Sequence, residues 1–416
     1  MPLIRSWLES ANDPEGGFPL NNLPYGVFSV GEGELRCGVA VGDRIFDMTG
    51  LEAAGILRAD PAADVLDAPY WNDFMELGPE AWAAYRAALQ EMLSAGAPEP
   101  VQNALITHSV PLRKARLHLP LRVAEFTDFY AAYHHAHNVG TMFRGPENAL
   151  PPNWLHMPIG YNGRASSVVV SGTDIHRPHG QLKAPDDTQP RFAPSQRFDF
   201  ELELGAIVGT AFQGPLTMQE AEDHIFGYVL LNDWSARDIQ AWEYQPLGPF
   251  QSKATATTIS PWIVPAAALA PFRTNAPARQ TPLLPHLADT TAMHLNINVT
   301  AELNETEITR TNTAELYYSA PQQLVHHASS GCPMRTGDLL GSGTISGPTP
   351  ESRGCLLERT WGGRDPITLN DGTTRTFLED GDTLTLTAVA QGQSHKISFG
   401  TATGTLKPAA PLHLAP

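Results

Sequence analysis

The apolar and polar positions change period several times along the chain. Between residues 25 and 48, short β-favouring runs are cut by glycine: Tyr25 to Val30, Arg36 to Gly42, and Arg44 to Met48. That rhythm predicts the strands of a small barrel. Residues 72 to 96 carry a helical pattern centred on Glu80 to Leu89. Strand signals dominate downstream. Residues 198 to 208 alternate, Tyr228-Val229-Leu230-Leu231 reads as a buried strand, and Gly381 to Val389 alternates as a strand with one wet face. Thr217-Met218-Gln219-Glu220 has the form of a capping box that opens a helix. The Pro- and Ala-rich stretch 265–285 predicts a surface excursion. The expectation is a mainly β or α+β body, with a boundary near residue 118.

Composition narrows the picture. A chain of 416 residues is long for one core, so two domains are expected. Its 42% hydrophobic and 17% charged content is globular. Acids outnumber bases 44 to 27, a formal charge of −17, which argues against nucleic acid or an anionic membrane as partner. An anionic substrate would then need local positive charge. Three cysteines (Cys37, Cys332 and Cys355) make no disulfide framework and fit a reducing compartment. The first residues show no charged segment followed by an apolar run, and no stretch is apolar for the length of a membrane span. A cytoplasmic location is the expectation.

The candidate chemistry lies in carboxylates. Strand alternation puts Asp199, Glu201 and Glu203 on one face, which is either an exposed acidic face or a cation site. Asp233 ends a strand just before Trp234-Ser235-Ala236-Arg237, where it could project into a site or cap a helix. Asp128, in Glu125 to Tyr130, is expected to open a helix, with His135 two turns on along the same face. Carboxylate-rich oxygen sites suit Mg²⁺ or Ca²⁺. Four carboxylates around such an ion leave a net negative charge that Arg237 and Lys253 could offset. Among His134, His135 and His137, only the first and last share a helical face, which fits zinc poorly and a single general base better. Arg237, Gln240 and Tyr244 recur at helical spacing, either as a donor face for an anion or as a polar surface stripe. No Gly-x-Ser-x-Gly elbow and no Walker loop occurs. Gly341-Ser342-Gly343-Thr344-Ile345-Ser346-Gly347 is expected to form a tight loop near a ligand.

Longer motifs point further. They are Asn22 to Ser29, Thr127-Asp128-Phe129-Tyr130, His135-Ala136, Asn138-Val139-Gly140, Met142-Phe143-Arg144, Glu147 to Leu150 and Pro152-Asn153-Trp154. Leu231 to Gln240, Trp242-Glu243-Tyr244, Pro246 to Phe250, Gly341 to Pro348 and Asp380-Gly381-Asp382 complete the set. Over nearly the whole chain these segments resemble the fumarylacetoacetate hydrolase family. The resemblance implies an SH3-like N-terminal domain (residues 1–118), a catalytic β-sandwich roll (119–416) and a homodimer. It implies Ca²⁺ or Mg²⁺, or both, on Asp128, Glu201, Glu203 and Asp233, with a second cation position at Lys253 and Thr257. It makes His135 the base, held by Glu358, and Arg237, Gln240 and Lys253 the oxyanion donors. Tyr130, Arg144, Tyr161, Gln240, Tyr244 and Thr344 match substrate contacts. The implied reaction is hydrolysis of a carbon–carbon bond of 4-fumarylacetoacetate, an anionic β-diketone, to fumarate and acetoacetate, the last step of tyrosine and phenylalanine breakdown. Two other readings stay open: an acylpyruvate-type hydrolase or decarboxylase of the wider superfamily, and a non-catalytic cation-binding protein. One departure is clear. The family's Leu-Gly-Lys-Ser-Phe-Gly-Thr-Thr stretch is Gln251-Ser252-Lys253-Ala254-Thr255-Ala256-Thr257-Thr258 here, without either glycine.

Overall fold

The computed structural model describes residues 1–289 and 291–411. The chain is α+β and mostly sheet, as the alternation implies. The N-terminal strands Tyr25–Ser29, Arg36–Val41 and Arg44–Asp47 form where expected, separated by turns. Tyr25–Ser29 pairs with Arg36–Val41 and Arg116–His118 and also with Trp262–Pro265, so one hydrogen-bonded sheet of thirteen strands runs from the N-terminal segment into the body. In the body, Ile225–Asp233 lies between Trp262–Pro265 and Leu202–Val208, followed by Leu339–Gly341, Phe126–Phe129 and Gly160–Asn162. A separate five-stranded sheet contains Asn298–Leu303, Thr383–Gln391 and Lys396–Lys407. Thr383–Gln391 alternates buried and half-buried positions along its length, which matches its sequence pattern.

The central strands are covered on both faces. Leu202, Leu204, Ala206, Tyr228 and Leu230 belong to the main core. Their alternates Ile207, Val229 and Leu231 belong to a second core with Tyr25, Trp71, Phe74 and Tyr85 from the N-terminal segment. Phe226, from the body strand Ile225–Asp233, packs into this second core, its ring centroid 5.1 Å from that of Tyr25 and 5.0 Å from that of Trp82. Period-2 geometry therefore hands one face of the strands to each half of the molecule.

Four local expectations change. Asp128 does not open a helix: Phe126–Phe129 is a strand, parallel to Leu339–Gly341 and antiparallel to Gly160–Asn162. Aromatic and β-branched neighbours fit a pleated ladder better than a helix, and the helix begins only at Tyr133 (Tyr133–Arg144). His135 and Asp128 thus come from different elements. The strand expected over 198–208 is broken into Phe198–Asp199 and Leu202–Val208. At the break, side-chain oxygens of Asp199 and Asn232 accept the Phe200 and Glu201 N–H groups. The helical region 72–96 is two helices, Asn72–Glu76 and Pro79–Leu93, because Gly78 sits at φ +88° between them. The excursion over 265–285 starts late, since Ala268, Leu269 and Phe272 pack into the main core. The capping box forms at Thr217, with both of its reciprocal hydrogen bonds made. Among the described residues, no helix is long and apolar enough to cross a membrane.

Because Phe226 comes from a body strand and packs among N-terminal aromatics, Phe226→Ala should destabilise the whole protein by about 3–5 kcal/mol, read from urea unfolding. A loss below about 1 kcal/mol would show that the two halves do not share this contact energetically.

Candidate active site and cation centre

Register brings the carboxylates together. Asp233 ends its strand opposite Thr257, and Leu231 of that strand pairs with Glu203 on the neighbouring strand Leu202–Val208. Asp128 lies opposite Gly341 on one side and Tyr161 on the other. Asp128, Glu203 and Asp233 alternate onto the faces that carry Phe126, Ile207 and Leu231, where they extend an apolar surface beyond its edge. Glu201 joins them from the break in the ladder. Candidate ligand atoms of all four lie within 4.8 Å of one another, and every one of the residues is buried. Asp199 does not join them. The expectation of one acidic face is corrected: the break turns Asp199 toward Arg237.

Glycine makes this convergence possible. A Cβ on Gly341 would stand 2.6 Å from Asp128 Oδ1 and 2.9 Å from Glu203 Oε2. Only a residue without a side chain lets the two carboxylates close over that strand.

Two cations face the cluster. Lys253 Nζ donates to Glu201 Oε2 at 2.6 Å and to Asp233 Oδ2 at 2.8 Å. Arg237 Nη1 lies 2.6 Å from Glu201 Oε1. Glu201, buried yet flanked by Lys253 and Arg237, is held below the ordinary carboxylate range. The other three are pushed up: Asp128 and Glu203 by burial and neighbouring carboxylates, Asp233 by burial although Lys253 pulls it the other way. Asp128 Oδ1, Glu203 Oε1 and Asp233 Oδ1 have no hydrogen-bond partner among the described residues, and neither does the Thr257 hydroxyl beside Asp233. Buried carboxylate oxygens without a donor are costly. A hard divalent cation bound by oxygen ligands would supply what they lack, so this donor set fits one.

Beside the cluster is a cavity of about 440 Å³ lined by Asp128, Glu201, His135, Arg237 and Lys253. All six expected substrate contacts line it too: Tyr130, Arg144, Tyr161, Gln240, Tyr244 and Thr344. Tyr161 also donates to Asp233 Oδ2 at 3.0 Å. Glu203, Asp233, Thr257 and Glu358 stand behind this lining. His135 Nδ1 is 2.5 Å from Glu358 Oε2. Glu358 accepts further bonds from Asn138, Ser346 and Cys355 at 2.9, 2.8 and 3.2 Å. Burial alone would raise its pKa, but His135, Asn138 and Ser346 bring it down to about 2. An ionised Glu358 keeps the ring proton on Nδ1, which leaves Nε2 as the basic nitrogen. The lysine stretch needs neither family glycine, since Ser252 and Ala256 are not at positive φ. Instead the N–H groups of Phe250, Gln251 and Ser252 donate to the Glu243 carboxylate, which shapes the turn that delivers Lys253.

Profiles of the fumarylacetoacetate hydrolase C-terminal region and of the fumarylacetoacetase N-terminal region match residues 125–407 and 21–120. The chain belongs to the fumarylacetoacetate hydrolase family. The fumarylacetoacetase of Arabidopsis thaliana is 46% identical over 424 residues, 99% of this chain and 100% of that one. The Homo sapiens fumarylacetoacetase is 45% identical over 97% of this chain and 99% of its own. Among solved structures, a fumarylacetoacetate hydrolase from Exiguobacterium antarcticum superposes with a TM-score of 0.54 at 16% identity, covering 93% of this chain and 99% of that one. A maleylpyruvate hydrolase from Sphingobium sp. SYK-6, solved with manganese(II) and pyruvate, gives 0.52 at 18%, covering 93% and 100%. These two share the fold.

Some residues that the structure brings together here are not singled out by their sequence pattern. Asn138 and Ser346 lie inside long motifs, yet nothing in their spacing ties them to Glu358. Cys355 reads only as a free thiol. Gly341 reads as a loop residue rather than as the gap between two carboxylates.

Two outcomes follow from the orphaned oxygens. Gly341→Ala should lower Ca²⁺ affinity at least about tenfold in calorimetric titration while the protein stays folded, because the carboxylates can no longer converge; unchanged affinity would contradict the packing argument. The second concerns pH. Asp128, Glu203 and Asp233 have folded pKa values above their unfolded ones, so the stability tied to their protons is complete below the ordinary carboxylate range and is lost as pH rises through the raised values. The chelated protein should therefore unfold at progressively lower urea as pH rises above the ordinary carboxylate range, and saturating Ca²⁺ should flatten the trend. A flat profile without cation would count against it.

Proposed function

We propose that the protein is a hydrolase that cleaves the carbon–carbon bond of 4-fumarylacetoacetate, giving fumarate and acetoacetate. One observation carries this reading: His135, held by buried Glu358, lines the same cavity as Asp128 and Glu201 of the carboxylate cluster and as Lys253 and Arg237. A passive cation binder has no use for such a pair. The near-full-length identity to fumarylacetoacetases supports the substrate over an acylpyruvate.

Each residue then has a physical task. His135 Nε2 takes a proton from water as that water adds to a ketone carbonyl, and Glu358 balances the imidazolium that forms. Arg237 Nη2, which has no partner among the described residues, Gln240 and Lys253 donate to the developing oxyanion; each such donor is worth about 3–4 kcal/mol. Tyr130, Tyr161, Tyr244 and Thr344 orient the chain of the substrate, and Arg144 provides positive charge for a carboxylate against the −17 background. Asp128, Glu201, Glu203 and Asp233 would hold the divalent cation, a Lewis acid that stabilises negative charge on the departing acetoacetate enolate. Ca²⁺ or Mg²⁺ suits the all-oxygen donors, and Lys253 with Thr257 offers the second position. The same reading includes the N-terminal SH3-like domain of residues 1–118 joined to the catalytic roll of 119–416, a place in tyrosine and phenylalanine breakdown, and a cytoplasmic homodimer. The junction between the two profile matches supports the division.

Purified protein with Ca²⁺ or Mg²⁺ should turn over fumarylacetoacetate much faster than acylpyruvates, lose activity on chelation and regain it on add-back. His135→Ala should lower kcat by about 10²–10⁴-fold with Ca²⁺ binding retained. Full activity in that variant would remove His135 as the base, and a preference for acylpyruvates would overturn the substrate.

A further inference from the structure

Asp199 lies outside both the carboxylate cluster and the cavity lining, yet it is completely buried and every lone-pair direction on it is used. Its Oδ1 accepts the N–H groups of Phe200 and Leu356, each at 2.8 Å. Its Oδ2 accepts the Leu357 N–H and Arg237 Nε, each at 2.9 Å. These donors belong to three separate parts of the site. Phe200 directly precedes the cation ligand Glu201. Leu356 and Leu357 open the turn Leu356–Arg359 that carries Glu358. Arg237 opens the helix Arg237–Glu243, which also carries Gln240. A carboxylate offers about four acceptor directions, and all four are filled here by groups that matter to the chemistry.

The wiring on either side is specific. Through Nη1, Arg237 reaches Glu201 Oε1 and donates to Gln240 Oε1 at 3.2 Å, while Nη2 is left without a partner among the described residues. Fixing Nε on Asp199 therefore fixes where Nη2 points, since the guanidinium is planar. Fixing the Leu356 and Leu357 N–H groups fixes the turn on which Glu358 meets His135 Nδ1. Arg237 makes no hydrogen bond to His135 or Glu358 among the described residues. Asp199 is what they share.

We propose that Asp199 is a positioning residue that locks the His135–Glu358 pair and the Arg237 guanidinium into one geometry, so that the water-activating and oxyanion-stabilising halves act as a unit. This rests on the roles given to those residues above. It differs from a purely structural buried ion pair, which would support folding but not couple the two halves.

The test uses the full chain loaded with Ca²⁺. In Asp199→Asn, one acceptor oxygen becomes a donor that faces other donors at nearly unchanged volume. The expected result is a folded protein that binds Ca²⁺ within about threefold of the parent, with kcat down about 100-fold and KM little changed, the scale expected when reacting groups are misplaced by about 1 Å. A double-mutant cycle between Arg237→Lys and Glu358→Gln should show non-additive losses in the parent and additive ones in the Asp199→Asn background. Unchanged kcat, or coupling that survives without Asp199, would overturn the proposal. A second measurement does not depend on turnover or on Asp199→Asn folding. The proton on His135 Nδ1 should give a resolved downfield NMR resonance, and Arg237→Lys should shift or broaden it although Arg237 does not touch His135. A resonance unmoved by Arg237→Lys would overturn the coupling. If the parent fails to hydrolyse fumarylacetoacetate while the resonance still responds, the substrate reading falls and the positioning role stands.

Discussion

Four carboxylates buried within reach of one another are the constraint around which the rest of this molecule is arranged. Taking one carboxylate out of water costs several kcal/mol unless it is compensated. Here Lys253 and Arg237, the latter shared with Asp199, stand against four acids, so negative charge is in excess and three carboxylate oxygens have no donor. A stable fold can keep such a cluster only by raising its proton affinity or by taking up a cation. Burial raises the proton affinity of Asp128, Glu203 and Asp233, and a bound cation would make the cluster a Lewis-acid site. Burial by the N-terminal core on one face and the main core on the other sets the low dielectric that makes the choice so sharp.

The geometry then divides work between elements. Strand ends contribute the cluster. The helix Tyr133–Arg144 contributes His135, and the turn Leu356–Arg359 contributes Glu358. The helix Arg237–Glu243 and the turn at Lys253 contribute the donors. Elements so far apart in sequence stay in register because polar side chains tie their backbones: Asp199 to the Glu358 turn, Glu243 to the lysine turn, Asn232 to Glu201. A family loop motif built with two glycines is thereby rebuilt without them.

Much of this is legible in the sequence, for a definable reason. Residues that face a ligand carry chemistry in their type, so Asp128, Glu201, Glu203, Asp233, His135, Arg237 and Lys253 can be singled out before any coordinates. Long strands with clean alternation, such as Thr383–Gln391, are equally plain. What fails is local conformation where side chains replace backbone partners. The break at Phe200 and Glu201 is invisible to period-2 reasoning, because Asp199 and Asn232 take ladder hydrogen bonds that the pattern assigns to backbone. Asp128 suffers the opposite error: its position seven residues before His135 fits a helix, but pairing with Leu339–Gly341, more than two hundred residues away, decides for strand. Asn138, Ser346 and Gly341 act through contacts that only the assembled sheet creates.

Asp128, Glu203 and Asp233 each keep a buried oxygen without a donor, and a divalent cation would compensate them. Calorimetric titration of Ca²⁺ into chelated protein, in buffers of different ionisation enthalpy, counts the protons displaced on binding. The expected result is a release of protons that grows as pH is lowered through the neutral to mildly acidic range, because the raised carboxylates must ionise to bind the ion. Binding with no proton release anywhere in that range, or no Ca²⁺ or Mg²⁺ binding at all, would contradict it.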